Sequence, residues 1–243
     1  MILEPDAPLA VAVVTAIHSG DRTELRQLLT RHPGLATARL GDPDRGQSRT
    51  LLHVVTDWPG HFPDGARTVA LLVEAGADVD ARFTGPHTET PLHWAASSDD
   101  VPVLDALLDA GADIEADGAV IAGGTPLDDA SAFRQWNAAY RLVERGAEVN
   151  LHNAAALGLL DRVEQCYAEE PGPSPTDTTS AFWRACHGGR LPVAKYLLAR
   201  GADLDWIPSW EPLTPLDVAR RDRHQELADW LTAAGAHGAA DPK

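Results

Sequence analysis

Cysteine is nearly missing from this chain. Cys166 and Cys186 are the only two, in no Cys-x-x-Cys arrangement and far apart in sequence, so neither a disulfide framework nor a cysteine zinc site is indicated. Lysine is equally scarce, with Lys195 and Lys243 alone, and the 20 basic residues face 36 acidic ones for a net charge of −16. That balance repels phosphate backbones and anionic lipid, so neither nucleic acid nor a membrane surface is an expected partner. The charge serves solubility or draws a cationic partner. Aromatic residues make up only 6% of the chain, while Ala, Leu and Gly dominate, which favours close packing of helices through small side chains. No stretch approaches the length of a membrane span. The apolar run from Pro8 to Ile17 follows Glu4 and Asp6, where a signal peptide needs positive charge. Nucleophile-elbow, phosphate-loop and paired-cysteine motifs are all missing. The expectation is a cytoplasmic monomer without cofactor or metal, and the preference for Arg over Lys in an Ala-, Gly-, Pro- and Asp-rich chain points to a GC-rich bacterial gene.

What the chain does have is repetition. Thr90-Pro91-Leu92-His93 recurs as Thr125-Pro126-Leu127-Asp128 and Thr214-Pro215-Leu216-Asp217, with a weaker copy at Thr50-Leu51-Leu52-His53. A second echo, Gly76-Ala77-Asp78, Gly111-Ala112-Asp113, Gly146-Ala147-Glu148 and Gly201-Ala202-Asp203, closes apolar segments such as Leu107-Leu108 and Leu197-Leu198. From Thr90 to Gly111, from Thr125 to Gly146 and from Thr214 to Gly235 the distance is 21 residues each time. A Thr-Pro pair opens a helix, since the hydroxyl caps free N–H groups and proline is tolerated in the first turn. Ala95 and Ala96 let neighbouring helices approach, Pro102 and Pro192 open the outgoing helices, and the glycines end them in a left-handed conformation.

This pattern resembles the ankyrin repeat. The resemblance implies an all-α ankyrin-repeat solenoid of about seven helix-turn-helix units with short finger loops, starting near Val11, Thr50, Thr90, Thr125, Val149, Ser180 and Thr214. It implies one ankyrin-repeat domain over residues 1–243, with an N-terminal capping repeat at 1–49, central repeats at 50–148 and C-terminal repeats at 149–243. Two departures stand out. Thr50 and Gly76 are 26 apart, so five residues are added within Asp57–Gly65, and Gly146 lies three residues before Val149, leaving no room for a finger and predicting a notch beside Asn150, Leu151 and His152. Both read as shaped features or as loop drift.

The resemblance also locates candidate contacts on the concave face, because the family's variable positions lie seven and eight residues into each unit and at the finger tips, and the residues four into each unit stand just before them. Counting gives Asp57, Trp58, Trp94, Ser97, Ser98, Asp129, Phe133, Arg184 and His187, with Trp206 and Trp210 on the last finger. Trp58, Trp94, Phe133, Arg184, Trp206 and Trp210 are the candidate ligand-binding residues, since Trp and Arg dominate recognition energetics. Trp183 and Trp230 read as core. His53, His93 and His152 fall at the family's fourth position, where the imidazole bonds backbone in the adjoining loop. The expected function is recognition of a partner protein. The alternative is a small-molecule site or enzyme in which Asp57, Asp129 and His187 do acid–base work, the added loop capping the groove so that a buried carboxyl stays protonated.

Overall fold

Every Thr-Pro or Ser-Pro pair of the repeat opens a helix in the computed structural model, which describes residues 1–42 and 46–240. Two compact units divide the chain, Met1–Ala147 and Glu148–Lys243.

In the first unit the helices run in pairs: α1 (Pro8–Ser19) and α2 (Arg22–Arg31), α3 (Leu51–Val55) and α4 (Gly65–Glu74), α5 (Pro91–Ser97) and α6 (Val101–Asp109), α7 (Pro126–Ala132) and α8 (Trp136–Glu144). Their apolar faces close over Ile17, Leu25, Leu52, Leu72, Leu92, Leu104, Leu107, Leu127 and Leu142, all fully buried. The all-helical expectation needs one amendment here. Strands β1 (Ile2–Leu3), β2 (Arg39–Asp42) and β3 (Gln47–Thr50) form a small sheet, with β1 parallel and β3 antiparallel to β2. Extended finger arms leave backbone groups that must pair, and the N-terminal residues supply the third strand.

The second unit holds α9 (Leu151–Leu157), α10 (Leu160–Ala168), α11 (Pro175–His187), α12 (Leu191–Leu198), α13 (Pro215–Arg221) and α14 (Gln225–Ala233). Phe182, Trp183, Leu197, Leu216 and Leu231 fill its core. Two positions differ from the count made on the sequence. Asn150, not Val149, caps α9 and accepts from Asn153 N at 2.9 Å, so the fourth position belongs to Asn153 and His152 sits one residue before it. The cap of helix α11 lies six residues ahead of Ser180, because Ser174 and Asp177 form a capping box of their own, with Ser174 Oγ 2.7 Å from Asp177 Oδ2.

The connections explain the repeat's spacing. Residues 75–90, 110–125 and 199–214 are fingers of 16 residues, whereas 145–150 and 169–174 are links of six. Gly76, Gly111, Gly146, Gly201 and Gly235 carry φ near +90°, as a helix-ending glycine should. The aspartates that follow hold the finger turns: Asp78, Asp113 and Asp203 each accept from the N–H two residues on, at 3.0–3.1 Å. Asp80 then accepts Asp113 N at 2.9 Å, tying one finger to the next. No helix among the described residues is long and apolar enough to cross a membrane.

Candidate functional site

The site begins with the histidine of the repeat motif. His53 Nδ1 accepts from Thr50 N at 3.3 Å and from the Thr50 hydroxyl at 2.8 Å, which leaves the proton on Nε2 to donate to Glu89 O at 3.1 Å. Phe83 N donates to the same carbonyl at 2.8 Å. His93 repeats the arrangement one unit on, reaching Gly124 O at 3.3 Å. These bonds are the backbone role expected of His53 and His93. Burial, reinforced by repulsion from Arg39 and Arg49 and opposed by the Glu89 bond, pushes the His53 pKa down to about 3. Burial likewise lowers His93.

Pinned this way, the arm of the finger before α5 turns the Glu89 side chain inward. Its Oε2 accepts from Trp94 Nε1 at 2.8 Å and its Oε1 from Val120 N at 3.2 Å, and only 5% of the residue is exposed. His87 Nδ1 lies 2.8 Å from Oε2, an ion pair when the ring is protonated, though it approaches without the alignment of a directed hydrogen bond. Beneath Glu89 sits Asp129, fully enclosed, its carboxyl beside the Glu89 side chain and the Ile121 backbone. Burial first and the neighbouring Glu89 second push the Asp129 carboxyl far above the usual carboxylate range, so the proton of this acid pair resides on Asp129 at neutral pH.

Above Glu89 opens a cavity of about 500 Å³, walled by Trp58, Trp94, Phe133 and Val120 and by the polar groups of Thr56, Asp57, His87, Ser97, Ser98 and Gln135. Rings stack behind its wall: Phe83 against His87 with centroids 4.6 Å apart, and Trp94 edge-on to His53 at 4.8 Å. Trp58 is 85% exposed and Phe133 45% exposed, so both offer apolar surface to a ligand. Arg49 holds Asp57 through both guanidinium nitrogens, at 3.0 and 3.3 Å. Burial raises the Asp57 carboxyl from its ordinary value, against the lowering influence of Arg49 and His18.

The added segment, Asp57–Gly65, divides its work. Its first two residues wall the cavity, while the rest runs along the helix turns on either side. His61 N donates to Asp100 Oδ2 at 2.7 Å and its ring bonds Ser98 O at 3.0 Å. Phe62 stacks on His18 with centroids 4.0 Å apart, and Asp64 pairs with Arg22 at 3.0 Å. Gly20 (φ +71°) passes so close to Pro63 that a Cβ would lie 2.5 Å from its carbonyl oxygen. The segment is therefore built into the first unit from α1 through to the turn after α5.

Four of the nine candidate catalytic and ligand-binding residues thus meet at one cavity, Asp57, Trp58, Trp94 and Phe133, and Ser97 and Ser98 from the same count line it with them. Asp129 lies under its floor and does not line it, because its short side chain stops where the longer Trp94, at the same place in its own helix, continues outward. Arg184, His187, Trp206 and Trp210 belong to the second unit and form a cluster of their own. His187 is buried flat against Trp183, with centroids 5.4 Å apart. Arg221 Nη2 donates toward His187 Nδ1 at 3.3 Å and pairs with Asp222 and Glu211. Trp210 meets Trp183 and Trp206 edge-on, and the Arg184 guanidinium lies 6.0 Å from its ring. Trp183 donates its indole N–H to Leu213 O at 2.9 Å, in the core role expected of it. Counting helix positions missed Glu89, His87, Val120 and Gln135. Glu89 directly precedes the Thr90-Pro91 cap, and that adjacency was the available signal: whatever precedes the cap must face the neighbouring helix pair.

Comparison with curated proteins finds no match. Residues 65–153 match the family model for ankyrin repeats, in three copies. That match lies across the helix pairs and 16-residue fingers from α4 to the start of α9, so these residues of the chain are ankyrin repeats.

Proposed function

We propose that this protein is a recognition module, and that a segment of a partner protein docks in the first unit's cavity at Trp58, Trp94 and Phe133. Ankyrin repeats are in general modules of protein–protein interaction. The observation that carries the reading is the exposed aromatic surface: Trp58 and Phe133 stand open beside a cavity of about 500 Å³. Large apolar side chains left in water around a polar-rimmed hollow mark interaction sites, and tryptophan is the residue most often found to carry binding energy. Selection of a displayed peptide library against the full chain tests it. A family of peptides that binds the native protein and fails on Trp58→Ala supports the proposal. No enrichment, or binding indifferent to Trp58, contradicts it.

One observation favours a second reading, a small-molecule site with acid–base chemistry. The cavity has the size of ligand pockets, about 300–1,000 Å³, and Asp129 under Glu89 is a carboxyl held neutral by burial. Asp57 on the wall would be the acid or base in contact with the ligand. Under this reading native mass spectrometry finds a small molecule carried by the wild type and lost in Trp94→Ala, and Asp57→Asn abolishes its turnover. A chain that carries nothing and turns nothing over leaves the docking reading alone.

A further inference from the structure

We infer that the cavity takes a cationic side chain, arginine or lysine, from a basic segment of the partner; this rests on the docking reading above and names the residue that the partner inserts. Trp58, Trp94 and Phe133 line the cavity, and the negative quadrupoles of aromatic faces attract ammonium and guanidinium groups. The polar groups on the wall are acceptors in excess, and among the described residues that line it there is no Lys or Arg. Arg49 lies beside the cavity, but both its terminal nitrogens are engaged by Asp57, so that pair is neutral as a unit.

What remains is Glu89. Its carboxylate is oriented by the Trp94 indole and the Val120 amide, the His87 ring lies 2.8 Å from the same oxygen that Trp94 engages, and behind it sits the neutral Asp129 carboxyl. A carboxylate at the floor of an aromatic-walled hollow, with no Lys or Arg among the described lining residues, draws a cationic group toward it. The chain's net charge of −16 adds long-range attraction for a basic segment and repels an acidic one. A purely apolar occupant would cover the Glu89 carboxylate without adding a partner to it.

The test follows tryptophan indole N–H resonances of the full chain by nuclear magnetic resonance during titration with blocked single residues: N-acetyl arginine, lysine, leucine and glutamate methylamides. The arginine and lysine probes should move the Trp58 and Trp94 signals saturably, at least tenfold more tightly than the leucine and glutamate probes. The response should weaken at least fivefold in 0.5 M salt and at least tenfold in Glu89→Gln, whose amide oxygen can still accept from Trp94. Trp58→Ala, at a position 85% exposed, keeps the fold and should lose at least fivefold in affinity read at Trp94. A leucine probe that binds as well as the arginine probe, or Glu89→Gln binding unchanged, overturns the inference. Selected peptides that need Trp58 yet carry no basic residue would leave the docking reading standing and this inference refuted. Cationic probes that bind when no peptide can be selected would do the reverse, with the cavity then taking a free amine or guanidine.

Discussion

Acid should loosen the wall of the cavity through His53. The ring is fully buried, and it stays neutral so that Nδ1 can accept from Thr50 while Nε2 donates to the Glu89 carbonyl. Its folded pKa, about 3, lies below the ordinary histidine value of 6.5. A depressed pKa contributes stability that is complete above the unfolded value and is lost as pH falls from 6.5 toward 3. Within that window the loss is about 1.4 kcal/mol per pH unit, so about 2 kcal/mol between pH 6.5 and pH 5. His93 shifts in the same direction and Asp129 in the opposite one, so the stability of the wild type alone does not isolate His53. The difference between wild type and His53→Gln does. By urea unfolding, His53→Gln should be less stable at pH 7.5 by about 1–3 kcal/mol, the cost of leaving the buried Glu89 and Thr50 groups short of a partner. At pH 5 the gap should shrink by about 2 kcal/mol, because the wild type alone has this ring to protonate. A gap of constant size from pH 7.5 to pH 5 would refute the reasoning.

Other expectations follow from the same structure. Asp129 has a raised folded pKa, so its contribution is complete below the unfolded carboxylate value and is lost as pH climbs toward the raised one. Asp129→Asn should therefore raise the melting temperature more at pH 8 than at pH 5, by up to about 1.4 kcal/mol of stability per pH unit, and an equal effect at both would contradict the burial of a neutral acid. Cys186 is fully buried and its thiol is pushed up by that burial, so a disulfide reagent should label it only after unfolding in urea. Rapid labelling in native buffer would place it nearer the surface. Truncation after Glu148 should leave a fragment with the helical circular dichroism and cooperative melting of a folded unit, since Met1–Ala147 has its own core. A fragment without a melting transition would show that the first unit depends on the second.

The repeat was legible because its physics is local. Thr-Pro capping, the glycine stop and the 21-residue interval each depend on residues near in sequence, and all recur in the helices and fingers. Positions four, seven and eight of each unit found Trp94, Asp57, Trp58 and Phe133 for the same reason. Where a cap was replaced by another residue the count slipped: Asn150 took the role assigned to Val149, and Ser174 started α11 ahead of Ser180. Glu89 and His87 were not legible, because their role depends on which way a finger arm turns, and that is decided by His53 from the preceding unit. Asp129 looked like a groove residue from its position alone. Its enclosure comes from Glu89, 40 positions earlier, which no helical count relates to it.

Docking of a partner segment at the first unit's cavity is measured by calorimetric titration of a selected peptide into three chains. Trp58→Ala should weaken binding by at least about 30-fold, or 2 kcal/mol, with the melting temperature unchanged, because the side chain is 85% exposed and supports nothing beneath it. Trp210→Ala, which removes a 57% exposed tryptophan from the second unit's cluster, should bind like the wild type. Binding that survives Trp58→Ala and fails with Trp210→Ala would contradict the claim and move the docking site to the second unit.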